Sequence, residues 1–136
     1  MILLKKIIQK PQSKKVYNPI VPSGLIAHTE KGYFYIKGNK KFKFVSERAM
    51  LSWNLPVIPT TDDKLNNFKL FGTLGFRDGT LIKDISDGKI YLVSDSKRRH
   101  VVDPDVLEWL RTDIIRAAQK EVLIHEEGDP LNGNTN

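Results

Sequence analysis

The feature that most restricts how this chain can fold is an internal repeat. Residues Gly32 to Trp53, GYFYIKGNKKFKFVSERAMLSW, and Gly88 to Trp109, GKIYLVSDSKRRHVVDPDVLEW, superimpose without a gap at an offset of 56. They agree at Gly32/Gly88, Tyr35/Tyr91, Lys41/Lys97, Val45/Val101, Leu51/Leu107 and Trp53/Trp109, and upstream at Leu25/Leu81 and Ile26/Ile82. Both tryptophans of the chain fall on the repeat. Self-similarity at a fixed period marks repeated supersecondary units. The expectation is an α+β fold of two tandem units, each a three-stranded antiparallel β-meander with a short helix.

The local chemistry of each copy supports that reading. In the first, Leu25-Ile26-Ala27 and Tyr33 to Lys37 read as strands rich in aromatic and β-branched residues. Gly38-Asn39 turns the chain, glycine tolerating a positive φ there. Lys41 to Val45 alternates, which puts Phe42 and Phe44 on one face and Lys41 and Lys43 on the other. Ser46 is an N-cap for a helix from Glu47 to Trp53, in which Met50 and Trp53 share a face. In the second copy Asp78-Gly79 and Asp87-Gly88 flank a strand from Thr80 to Ile85. Lys89 to Val93 and Lys97 to Val102 follow as strands around the turn Ser94-Asp95-Ser96. Asp103 caps the next helix, with Pro104 at its first position. Trp53 and Trp109 are expected as structural anchors.

The remaining segments divide the chain into an extended basic arm at 1–22, units at 23–55 and 79–111, a linker at 56–78, and a C-terminal helix with a polar tail at 112–136. In the arm, Ile2 to Ile8 is broken at Pro11, and Pro19 and Pro22 keep the backbone extended. Two readings stand for it: an arm ordered by a partner, or an edge strand on its own domain. The C-terminal helix is expected from Thr112 or Asp113 to Ile124, with an apolar stripe of Ile114, Ile115, Ala118, Val122 and Leu123.

With 136 residues and no cysteine, the chain can bury a core without disulfides and has no thiolate zinc site or cysteine nucleophile. Met-Ile-Leu-Leu ahead of Lys5 and Lys6 is too short for a signal-peptide core or a membrane span. Synthesis without a Sec-type signal and no membrane insertion are therefore expected. The net charge of +6 favours anionic partners, but it is uneven. Residues 1–22 hold five lysines and no acid, whereas 121–136 hold Glu121, Glu126, Glu127 and Asp129 and no Lys or Arg. Such asymmetry suits head-to-tail contacts between copies, and it also suits two solvated tails.

Catalytic patterns are not found. His28, His100 and His125 are scattered, and His100 aligns with Phe44, so that position needs no imidazole. Ser94 and Ser96 lie in a hairpin rather than a nucleophile elbow. Gly72, Gly75 and Gly79 match neither the dinucleotide nor the Walker pattern, and Asp84 to Gly88 does not continue as a calcium loop. No enzymatic activity and no cofactor are expected. The candidate partner-binding residues are the basic ones: Lys5, Lys6, Lys14 and Lys15 in the arm, Lys40, Lys41 and Lys43 in the first hairpin, and Lys97, Arg98 and Arg99 in the second. Basic strands beside aromatics can bind nucleic acid; Asp87, Asp95, Asp103 and Asp105 weaken that field around the second hairpin.

Residues 79–107, GTLIKDISDGKIYLVSDSKRRHVVDPDVL, resemble the short β-rich repeats, with a Lys-Arg-Arg strand and a Pro-containing helical turn, of tailed-bacteriophage virion proteins and some bacterial surface proteins. The first copy departs from the pattern, with Phe42, Lys43 and Phe44 for Arg-Arg-His and Ser46-Glu47-Arg48 for Val-Asp-Pro. The resemblance implies a non-enzymatic structural protein of the virion, in the tail, neck, baseplate or capsid surface, assembled in the host cytoplasm. Its partners would be other virion proteins and copies of itself. A small basic nucleic-acid-binding protein is the alternative.

Overall fold

A computed structural model of the chain describes residues 21–132. The arm at 1–20, with Lys5, Lys6, Lys14 and Lys15, lies outside these residues. The first sheet begins with β1 (Ile26–Thr29), β2 (Gly32–Lys37) and β3 (Lys40–Phe44), joined by tight turns. They pair antiparallel in chain order, Ile26 opposite Tyr35 and Tyr35 opposite Phe42. Gly38 has a φ of 60° at the second turn, a conformation that only glycine adopts without a steric penalty. Helix α1 (Glu47–Leu51) starts at Ser46, whose side chain accepts a hydrogen bond from the Ala49 N–H at 3.1 Å.

Residues 56–78, expected as a linker, contain β4 (Val57–Pro59), a 3-10 turn (Asp63–Leu65) and β5 (Lys69–Leu74). Both strands belong to the first sheet: β4 pairs parallel with β1, and β5 pairs parallel with β3. The strand order is β4-β1-β2-β3-β5. Pro59 is tolerated because β4 is an edge strand.

The second sheet contains β6 (Leu81–Asp84), β7 (Ile90–Ser94) and β8 (Lys97–His100), again antiparallel. Helix α2 (Pro104–Leu110) follows, with the Asp103 carboxylate accepting from the Asp105 N–H at 3.0 Å. The chain then forms β9 (Ile114–Ala117), parallel to β6 with Ile115 beside Ile82, and helix α3 (Gln119–Leu123). The order is β8-β7-β6-β9. Two expectations are corrected here. Both sheets are mixed rather than purely antiparallel meanders. The segment after Thr112 starts as a strand, because the adjacent β-branched Ile114 and Ile115 extend the edge beside Leu81 and Ile82.

The registers locate where the two copies diverge. Ile26 pairs with Tyr35 and Ile82 with Tyr91, both in keeping with the offset of 56. Beyond the next turn Tyr35 faces Phe42, whereas Tyr91 faces His100. The second hairpin is one residue longer on each strand.

Helix α1 sits between the sheets. Its Met50 packs with Ile26 and Phe44 of the first sheet, and its Ala49 with Ile82, Val93 and Ala117 of the second. The other face of the first sheet buries Phe34 and Ile36 under Leu65 and Val21. Among the described residues no helix is long and apolar enough to cross a membrane.

Candidate functional site

The basic residues of the two hairpins are used differently. In the second hairpin they hold the chain's own C-terminal segment. Arg98 donates from Nη1 to the carbonyl of His125, and its guanidinium lies 5.8 Å from the centre of the Tyr91 ring. Arg99 donates from Nε to the Asp129 carbonyl at 2.9 Å. Backbone bonds from the Arg98 N–H to Glu126 O (2.8 Å) and from the Gly128 N–H to Arg98 O (2.9 Å) lay residues 126–128 along β8. Lys97 is exposed and passes beside Gly128. The Lys-Arg-Arg strand thus spends two of its three cations internally.

In the first hairpin, the expected alternation holds. Lys41 turns to the face of Ile36, where its Nζ donates to the Leu65 carbonyl at 3.2 Å and lies 5.5 Å from the Phe34 ring. Lys43 is on that same side, over Gly32. Lys40 is at the opposite face, its Nζ 4.2 Å above the ring of Phe71 on β5. Phe71 meets Phe42 edge-on at 6.0 Å, Phe42 lies 6.3 Å from Tyr35, and Tyr35 stacks on Trp53 at 5.8 Å. These aromatics form a ladder from the inner face of the sheet to its outer edge. The register shift between Lys41 and Phe42, with Gly72 opposite Phe42, lets Phe71 reach over that ring. At the edge Leu70 is 57% and Phe71 53% exposed. Residue by residue the sequence hides this patch, since Phe71 stands in an apparently irregular Gly-rich run.

The tryptophans separate. Trp53 is half-buried, packs between Tyr35 and Phe44, and donates from Nε1 to the Gly75 carbonyl at 2.9 Å. Trp109 is 66% exposed and does not anchor the described core. The reason is helix length. Trp53 follows the end of α1, where Asn54 with φ of 52° turns the chain back, whereas α2 continues through Trp109 on its solvent side.

Two buried polar side chains join the sheets. Glu121 accepts from Arg48 Nη2 (2.7 Å), from the Ala118 N–H (2.8 Å) and from the Ser46 hydroxyl. Burial would raise its pKa, but these donors and the Arg48 charge hold it below the ordinary carboxylate value. Counted in the sequence among the acids of the C-terminal end, Glu121 is committed to this internal joint. His125 accepts from the Phe76 N–H at Nε2 (2.9 Å) and lies 2.7 Å from the Ser96 carbonyl through Nδ1. That pairing requires a neutral ring protonated at Nδ1. Burial lowers its pKa, with Ser96 and Asp78 pulling upward and Arg98 downward. A cavity of about 330 Å³ opens beside it, bordered by Trp53, Phe76 and Arg77. With both nitrogens engaged, His125 offers this cavity no free lone pair.

The turn carboxylates bond backbone N–H groups: Asp84 accepts from Ser86 and Asp87 from Lys89 within their own turns, and Asp78 accepts from Ser96 in the facing hairpin turn. Among the described residues no three His, Asp or Glu side chains are grouped as a metal site. No family model, curated protein or solved structure matches this chain.

Proposed function

We propose that the chain is a non-enzymatic assembly protein of a tailed-phage virion, in the tail, neck, baseplate or capsid surface, built from two tandem β-hairpin/helix units. Its partners are other virion proteins and copies of itself, and it enters the particle from the host cytoplasm. The placement in a virion rests on the resemblance of residues 79–107. The observation that carries the contact role is large apolar side chains held in solvent on regular elements: Leu70 and Phe71 on β5 and Trp109 on α2. Exposed aromatic anchors on rigid supports are typical of protein contact sites. Particles purified from an infected culture should contain the protein at a fixed copy number. A protein absent from particles, and retaining no virion component in a pull-down, would overturn the reading.

A small nucleic-acid-binding protein remains the alternative, favoured by Lys40 and Phe71 at the end of the aromatic ladder. It predicts a gel shift with single-stranded oligonucleotides that weakens steeply with salt and is lost in Lys40→Glu/Lys69→Glu.

A further inference from the structure

The two sheet regions carry opposite charge. Residues 23–76 hold eight Lys or Arg against four Asp or Glu; residues 77–132 hold nine against twelve. Among the exposed apolar side chains of each region, one group is framed by that region's own sign of charge. On the basic region this group lies on the outer edge of β5. Lys69 pairs with Lys40, which pairs with Lys37 across the turn, so three cations share the face of Phe71, while Leu70, paired with Lys41, lies on the other face of the same edge. On the acidic region it lies on the outer side of α2. Asp105, Glu108 and Trp109 occupy positions i, i+3 and i+4 of one helix, share a face, and are all exposed. Val102, 48% exposed, immediately precedes this helix.

We propose that these two surfaces are the halves of one heterologous interface between copies of the chain. The β5 edge of one copy receives the Trp109 face of α2 from the next. Trp109 packs on Phe71, and Asp105 and Glu108 meet Lys37, Lys40 and Lys69. Because each copy carries both halves, the contact propagates head to tail into a ring or an open filament. Charge complementarity decides in favour of a second copy: the acidic α2 face repels nucleic acid, while the two surfaces match each other in sign and both offer apolar area. The inference rests on the assembly reading above and adds the partner and the surfaces.

The test is a charge-swap exchange on the full chain, followed by sedimentation velocity. Wild-type protein should grow beyond a monomer as its concentration rises, and less so in high salt. Lys40→Glu/Lys69→Glu and Asp105→Lys/Glu108→Lys should each weaken self-association by at least about tenfold while keeping the wild-type circular dichroism. Mixed in equal amounts they should associate again, since each then meets an opposite charge on the other. Trp109→Ala should weaken association by a similar factor without unfolding the protein. Association that survives both swaps, or a mixture that stays dissociated, overturns this interface. So does a wild-type protein that remains monomeric at all concentrations, and so does an oligonucleotide shift abolished by the lysine swap in such a monomer. The assembly reading fails separately, if particles lack the protein and it retains no virion component in a pull-down.

Discussion

Residues 23–76 and 77–132 each build a sheet from three antiparallel strands, a short helix and a strand that returns parallel beside the first. They finish their far edges differently. Beyond β3 the first region adds the full strand β5, with Leu70 and Phe71 facing water. Beyond β8, among the described residues, the second region has two isolated bridges, Arg98 with Glu127 and Val101 with Leu131. The aromatic inner face of β3 is also replaced: Phe42 faces Tyr35 in one, His100 faces Tyr91 in the other, and the hairpin is a residue longer per strand. What the regions share is the packing scheme of the first hairpin. What differs is the third strand and everything that depends on it. The basic strand of one region holds Lys40 over an exposed ring and ties Lys41 to the Leu65 carbonyl, and that of the other clamps its own C-terminal segment.

The tryptophans give the sharpest way to break this comparison. Trp53→Ala removes a ring packed on Tyr35 and Phe44 and the Gly75 hydrogen bond, and should cost about 3–5 kcal/mol in urea unfolding. Trp109→Ala should cost less than about 0.5 kcal/mol in the monomer, as surface changes do. Equal losses would mean that the two regions pack their tryptophans alike.

The joint between the regions comes next. Glu121→Ala would leave the Ser46 hydroxyl and the Ala118 N–H without their acceptor, a loss of about 2–3 kcal/mol. Arg48→Ala should cost less, because its side chain is half in water. The Glu121 pKa is lowered in the folded protein, so its stabilisation is fully present above the unfolded carboxylate value and declines as the pH falls through the folded one. The gap between wild type and Glu121→Gln should therefore close on acidification. A gap independent of pH would show that the carboxylate charge is irrelevant there.

Two glycines of one segment sharpen the contrast between edge and seam. A Cβ on Gly75 would lie 2.8 Å from Ile124 Cγ2 and 2.7 Å from His125 Cε1, while one on Gly72 meets nothing within 4 Å. Gly75→Ala should cost about 1–3 kcal/mol, and Gly72→Ala about 0.5 kcal/mol or less. The same urea titrations measure both.

The parts of the fold visible in the sequence were those with local chemistry. Gly38, the Lys-Phe-Lys-Phe alternation, the Ser46 cap and the Asp103-Pro104 start each act within a few residues, and β2, β3, α1 and α2 stand where they indicate. Strand β9 was hidden because Ile-Ile followed by Ala-Ala satisfies a helical stripe as well as a strand; the choice is made by pairing with β6, more than thirty residues earlier. Strand β5 was hidden because an edge strand with almost every side chain in water shows no alternation. The candidate surface failed for the same reason: Lys40 and Phe71 meet only through a parallel pairing across a long crossover. Charge alone could not separate Lys40 from Arg98, since one cation lies over a surface ring and the other bonds a buried turn.

The tight turn of the second region is held from two sides. Asp95 and Ser96 both have positive φ, 53° and 63°, which is costly for residues other than glycine. The turn is braced by Asp78, which accepts from the Ser96 N–H, and by His125, whose Nδ1 meets the Ser96 carbonyl. Protonating His125 would leave Nε2 unable to accept from Phe76 and place a buried cation near Arg98. Its folded pKa is lowered, so its contribution is present above the unfolded histidine value and is lost as the pH falls through the folded one. Unfolding free energy should fall on titration from neutral to mildly acid pH, with a slope from this one proton no steeper than about 1.4 kcal/mol per pH unit. In His125→Gln that part of the slope should vanish, while His28 and His100 remain. An unchanged slope would assign the titration elsewhere and remove His125 from the set of joints that distinguish the second region from the first.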